Sequence, residues 1–442
     1  MILRVIAFLL LAPSCLAQTN ESTTTSTPSN DIPALTAQAN QGNVDAQLRI
    51  ADAYLRGAGV TQNDTEGFRW FLAAVEKGNA EAQYAVGSLY AIGKGVSRDD
   101  AEATKWFLKA AESGSAKAQY NMGVRYAYGR GVPKNDQQAA SWFRKSAEQG
   151  LAIGQLGLAA GYALGLGIPQ DKAEALKWYT KAAEQGLADA QLQLGIIFYN
   201  GNGISVNYQQ ALFWFQKATA QKNADAEFNL GLMYEHGQGV PMDFSKAAEY
   251  YDLGAQHGSA DALSDLGGLY QYGTGVPQDL QKATKLYTMA AEKGSFSAQR
   301  YLAGAYLTGN GVQKDAAQAA KWMQLAAAHG DAETECNLAI LYHTGAGLPQ
   351  SYQNALTWFQ KSAEQGYVTA QHNLGALYGS GQGTSKNPVE AYKWLSLAEL
   401  GGYKDAQHAL ELLKPQMTSE QIAEAQRLAE AWNTAHPRST PK

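Results

Sequence analysis

The sequence predicts an all-α solenoid of ten helix–loop–helix repeats, and three observations predict it. Gly57, Gly93, Gly129, Gly165, Gly201, Gly237, Gly273, Gly309, Gly345 and Gly381 each open a G-x-G in unbroken 36-residue register. Between these marks the apolar residues recur at helical spacing. Trp70, Trp106, Trp142, Trp178, Trp214, Trp322, Trp358 and Trp394 share one position in the period, with Tyr250 and Leu286 in the two remaining repeats. A fixed period of about 20–50 residues marks units that bury their apolar faces only against neighbours.

The repeat Asn79–Gly114 shows why each period is a helix pair. Asn79 is placed to cap a first helix, in which Ala82, Val86, Gly87 and Tyr90 form a helical stripe. The G-x-G at Gly93 supplies backbone that a side chain would resist, so the helix stops there. Asp99 starts the second helix; its equivalents Asn63, Asn135, Asp171, Asn207, Asp243, Asp279, Asp315, Ser351 and Asn387 are all capping residues. Glu66, Glu102, Gln138, Glu174, Gln210, Gln318 and Glu390, three places on, complete the capping-box pattern. Ala103, Trp106, Phe107, Ala110 and Ala111 give a wide apolar stripe, and Gly114 closes it. Small residues at these contact positions let helix axes approach, and the aromatic rings fill the remaining space.

The ends depart from the pattern. Residues 1–17 carry Arg4 and an apolar run from Val5 to Ala12, too short to span a bilayer; they predict a signal peptide cut after Ala17. The competing reading is a lipoprotein signal, with a lipid anchor on Cys15. Residues 18–31 are Ser/Thr-rich and predict a disordered spacer. Residues 32–42 predict an N-terminal capping helix, residues 43–402 hold the ten repeats, and residues 403–442 form C-terminal capping helices and a tail. There, Pro415 interrupts the chain, and Thr418 with Gln421 opens a last amphipathic helix. No other segment is apolar enough to cross a membrane. The net charge of −5 and the absence of a basic stripe argue against nucleic acid as a partner.

Ala80, Ala82, Gln83, Val86, Gly87, Tyr90, Gly93, Gly95, Val96, Asp99, Ala103, Trp106, Ala110, Ala111 and Gly114 follow the pattern of Sel1-like repeats, relatives of the tetratricopeptide repeat. The chain resembles that family over about four-fifths of its length. The resemblance implies a right-handed α-solenoid of 36-residue units that binds proteins as an adaptor, first helices inward. It implies no single activity. The closing helix is similar to those of exported bacterial members.

Catalytic and metal motifs are not evident, and no cofactor is expected. Cys15 and Cys336 are the only cysteines, so the mature chain carries one thiol and no internal disulfide. Cys336 and His372 share a position on adjacent first helices, but no orienting or oxyanion group accompanies them. The expected function is therefore an exported, non-catalytic scaffold, periplasmic, secreted or surface-associated. Its partner is a protein of the bacterial envelope or of a host. The alternative is a penicillin-like small-ligand binder or weak hydrolase, as some relatives imply.

The binding residues are expected where first helices vary within a fixed frame, at the phase of Arg49, Asp52 and Arg56. There the sequence offers Asn121, Tyr128, Gln193, Ile196, Asn200, Asn229, Leu232, His236, Tyr272, Asn337 and Asn373. Asparagines can hold an extended backbone through both N–H and C=O, and the apolar and aromatic residues supply contact area. Burial of Ile196 and Leu232 between neighbouring repeats is the competing reading.

Overall fold

The computed structural model describes residues 32–436. The predicted signal sequence, Cys15, the predicted Ser/Thr-rich spacer and the last six residues of the tail lie outside the described residues. Among the described residues there are 23 α-helices, one 3-10 turn (Lys414–Gln416) and no strand. The described residues divide into two compact units, one ending at Ala226 and the other beginning at Glu227.

Within each unit the architecture is a stack of helix pairs whose construction repeats. In the second repeat the first helix is Ala80–Ile92, capped by the Asn79 side chain accepting from the Ala82 N–H. It ends at Gly93 in left-handed backbone, φ 72°. The second helix is Asp100–Glu112, and the Asp99 carboxylate accepts from the Ala101 and Glu102 N–H groups. Asp99 also donates its own backbone N–H to the Tyr90 carbonyl, 3.0 Å away. The same bond joins Asn63 to Tyr54, Asn135 to Tyr126, Asp279 to Tyr270 and Asn387 to Tyr378. The loop is thereby tied to the first helix, and both helices face one core.

The reciprocal half of the capping box forms only at Thr418 and Gln421 among the described caps. Where the third residue is a glutamate it turns to a cation three positions on. Glu66 pairs with Arg69, Glu102 with Lys105, Glu174 with Lys177 and Glu390 with Lys393. A full positive charge outcompetes a backbone N–H for the carboxylate.

Neighbouring repeats lock at three levels. Within the units the second glycine of the G-x-G presses on the previous repeat, as at Gly95, Gly167, Gly311 and Gly347: a Cβ on Gly131, at φ 70°, would overlap the Asp100 carbonyl oxygen. Ring and small residue interlock inside each pair, so that a Cβ on Gly123 would meet the Phe143 ring. A ladder of buried glutamines runs between repeats. Gln119 donates to the Ala111 carbonyl of the preceding repeat, and its own Oε1 accepts from Gln149 Nε2 at 2.7 Å. Gln155 and Gln191 repeat both contacts.

The tryptophans stand at the edge of this core. Trp70, Trp142, Trp322 and Trp394 are buried, while Trp106, Trp178, Trp214 and Trp358 are only half-buried. Lysines three residues on lie over several of these rings: Lys109 over Trp106, Lys145 over Trp142 and Lys361 over Trp358, each 4.1 Å from the centroid. In the sixth to eighth repeats that lysine becomes Leu253, Met289 and Leu325, all exposed.

At the C-terminus Lys404–Leu413 forms a shortened first helix. Pro415 sits in a 3-10 turn, and Ser419–Ala435 packs on the second helix of the tenth repeat (Pro388–Leu400). Trp432 meets Trp394 edge-on at 5.9 Å.

Candidate binding face

The phase of residues 49, 52 and 56 on the first helices is unevenly exposed: Ser88, Val124, Gly157, Ala160 and Asn229 are buried at its first two positions. The last of these three positions is the most open: Asn200, His236 and Tyr272 are exposed or half-exposed, and Tyr272 retains 74% of its surface. Tyr128, at the same position, is half-buried beside the Arg130 guanidinium, 5.8 Å from the ring. The position one turn from the start is more enclosed. Asn121, Gln193, Asn337 and Asn373 are half-buried there, and Asn121 already donates to the Lys117 carbonyl at 3.0 Å.

Asn229 departs from the expectation. It is 4% exposed, and so it packs within the protein rather than presenting an amide to a partner. The neighbouring Glu227 and Leu230 are buried with it. Ile196 and Leu232 are half-buried, and Leu232 packs against the cluster that includes Tyr251 and Leu266.

Sequence reasoning passed over a second group, all within the unit of residues 227–442. Tyr251 and Tyr287 occupy the position held by Phe107, Phe143, Phe215 and Phe359 in other repeats. Their hydroxyls reach back to the first helix of their own repeat, Tyr251 donating to Glu235 Oε2 and Tyr287 to Gln271 Oε1 at 3.1 Å. Tyr301 stacks on Tyr287 with ring centroids 3.9 Å apart. Beside them lies Asp265, which forms no hydrogen bond or ion pair among the described residues. Burial, then the negative charges of Glu235 and Asp261, push its carboxyl up to about 7. Burial also raises the Tyr287 phenol, with Tyr301, Tyr272 and Asp265 adding to the effect, so these groups share one neighbourhood.

The signal for this group was present in the repeat frame. Asp265 and Glu235 are the only carboxylates at their positions among the ten repeats, apart from which Gly268 and Gly304 are the only glycines at theirs. The repeat frame does not encode that these departures converge in space.

Elsewhere the chemistry is sparse. Cys336 is 1% exposed, and burial, with the charge of Glu333, pushes its thiol up to about 12. His372 stacks on Tyr403, 4.5 Å between centroids, and burial lowers its pKa. A polar cavity of about 590 Å³ near the C-terminus is lined by Glu364, Glu390, Lys393, Trp394, Trp432 and His436 among others. Its carboxylate Glu390 is engaged by Lys393 and by the Trp394 indole N–H. Among the described residues no cluster suited to a metal ion and no helix long and apolar enough to cross a membrane is present.

The Sel1 repeat model matches ten consecutive segments, from residues 44–79 through 368–403. No match is found among curated proteins. A protective antigen of uropathogenic Escherichia coli with the same repeat fold is 29% identical, covering 93% of this chain and 98% of its own, at a TM-score of 0.58. A Sel1 repeat protein from Oxalobacter formigenes is 31% identical over 74% of this chain and 99% of its own, at a TM-score of 0.57. The repeat count, the shared register and these neighbours agree, and the chain belongs to the Sel1 repeat family.

Proposed function

We propose that this protein is an exported, non-catalytic scaffold that binds a partner protein through the variable face of its first helices. One observation carries the reading: chemically varied side chains such as Asn200, His236 and Tyr272 project from a frame whose other positions repeat in type. A rigid scaffold that presents varied side chains suits recognition, because little ordering remains to be done on binding. The hydrophobic segment at residues 5–12 supports export, and the similarity to a protective antigen supports a role at the bacterial surface or toward a host. The penicillin-like alternative finds no accessible thiolate in Cys336.

The test is a crosslinking pull-down with the chain from Gln18 to Lys442, against envelope extract and against host proteins. A specific partner should be captured, and Tyr272→Ala and Tyr128→Ala should release it. Glu112→Ala, on a second helix, should retain it. Capture that is indifferent to the two tyrosine variants would sink the proposed face. Fractionation of the producing cell tests export separately: a wholly cytoplasmic protein would remove that part of the proposal.

A further inference from the structure

We infer that the first-helix face of the sixth to eighth repeats is a notch that receives an arginine side chain from an extended segment of the partner protein. This rests on the scaffold reading and names the chemistry of its occupant. All the residues concerned lie within the unit of residues 227–442.

The shape of the notch comes from absent side chains. At the position that carries Val124, Ile196, Leu232 or Ile340 elsewhere, the seventh and eighth repeats have Gly268 and Gly304. A Cβ on Gly304 would meet nothing within 4 Å, and one on Gly268 would approach only the Tyr287 hydroxyl, at 3.5 Å. The space is therefore open, and its rim is phenolic. Tyr272, three-quarters exposed, follows Gly268 by one helical turn, and Tyr301 precedes Gly304 by three residues on the adjacent first helix.

The charge selects the occupant. On the first helices of the sixth and seventh repeats, residues 227–236 and 260–272 contain Glu227, Glu235, Asp261 and Asp265 but no Lys or Arg, and the one cation of the eighth, Arg300, is engaged by Asp331 and Glu333. Glu227 is matched by His257 and Glu235 holds the Tyr251 hydroxyl, whereas Asp265 has no cation or donor of its own. A half-buried carboxylate without a donor is a standing electrostatic cost, which a guanidinium would relieve through paired N–H donors. The same planar cation stacks on tyrosine faces, an option that an ammonium uses less well. Gly268, three residues on from Asp265 on the same helix, leaves room for a planar group there, and Gly304 leaves the adjacent first helix bare beside Tyr301. The energetic asymmetry between Asp265 empty and Asp265 paired makes this position an anchor rather than a general negative surface.

The experiment uses the chain from Gln18 to Lys442 and two fluorescein-labelled peptides, one alternating arginine with glycine and one alternating lysine with glycine. Fluorescence anisotropy at low salt should show binding of the arginine peptide, and weaker binding of the lysine peptide. Asp265→Asn and Gly304→Leu should each weaken the arginine peptide by about tenfold or more. Glu81→Gln, which makes the same change of charge on an exposed residue of the second repeat, should leave it unchanged. Gly304→Leu replaces a helical glycine with a good helix former in open space, so circular dichroism should show the wild-type fold. Failure of the arginine peptide to bind would overturn the inference. So would unchanged binding by the Asp265 and Gly304 variants, or equal weakening by all three, which would leave only the overall field. A captured partner that survives Asp265→Asn and Gly304→Leu would leave the scaffold standing and remove the notch. Arginine binding without any captured partner would do the reverse.

Discussion

Asp265 makes a stability prediction independent of any ligand. Its carboxyl titrates near 7 in the folded protein, against an ordinary value of 3.8. Below about pH 4 it is largely protonated in both states and contributes little. As pH rises from 4 to 7 the unfolded chain ionises first, so the fold is progressively penalised, and above 7 the penalty is complete. The groups facing it are Glu235 and Asp261, with Tyr287 also close, and each disfavours the charge or leaves it unrelieved. Asp265→Asn should therefore nearly match the wild type at pH 4 and exceed it at pH 8, by up to about 4 kcal/mol and by less as water reaches the site. Urea midpoints at the two pH values measure this; a gain at pH 4 equal to that at pH 8 would refute it. A second residue-scale prediction concerns Glu227, whose side chain is 2% exposed and meets His257 Nδ1 at 2.8 Å. His257→Ala strands that carboxylate and should cost about 3–5 kcal/mol. His257→Gln should stay close to wild type, because Gln365 already serves Glu335 in that geometry at 2.7 Å. Equal losses in the two variants would show that packing, not the buried charge, controls the site.

Helix boundaries were legible in the sequence because each is fixed by local chemistry. Asn79, Gly93, Asp99 and Gly114 act on backbone within a few residues, and the structure uses them as caps and stops. What local chemistry does not encode is the register between repeats. Gln83 and its equivalents were visible as a repeated residue, but their partners lie 8 residues back and 30 residues ahead, as in Gln119 with Ala111 and Gln149. Asn229 is buried although its helix phase suggests surface, and the phase alone does not encode that burial. The second glycine of each G-x-G shows the difference between local and inter-repeat demands. A methyl group on Gly114, at φ 93°, would meet no atom within 4 Å, whereas one on Gly131 would overlap the Asp100 carbonyl. Gly114→Ala should thus cost about 1 kcal/mol, the left-handed backbone penalty alone. Gly131→Ala should cost clearly more, because the contact between the second and third repeats must open as well. Thermal unfolding of the two variants decides this, and equal losses would mean that the close approach carries no weight.

At the scale of the molecule, the repeat-to-repeat contacts within a unit are made largely by residues that recur each 36 positions, so one repeat is interchangeable with the next as a packing unit. Excision of Ser115–Gly150 would bring Leu151 directly after Gly114. Gln155 would then stand where Gln119 donates to the Ala111 carbonyl, and Gly167 where Gly131 rests on Asp100. Both replacements have the right side chain and the right φ, 71° at Gly167 against 70° at Gly131. One contact would be lost without a substitute: Arg125, 5% exposed, donates to the Asp100 carbonyl and to Thr104 Oγ1, each at 2.9 Å, and its counterpart Gly161 has no side chain. Stability in a linear array is close to a sum of repeat and interface terms. The shortened protein should therefore keep its helicity per residue and one cooperative transition, with a lower midpoint. Restoring Arg at position 161 in the shortened chain should recover part of that loss. Removing residues 116–133 instead deletes a first helix and its loop, joins two second helices, and leaves the apolar face of one without its pair. That variant should lose helicity and aggregate. Similar behaviour of the two deletions in circular dichroism and size-exclusion chromatography would mean that the repeats do not pack as interchangeable units.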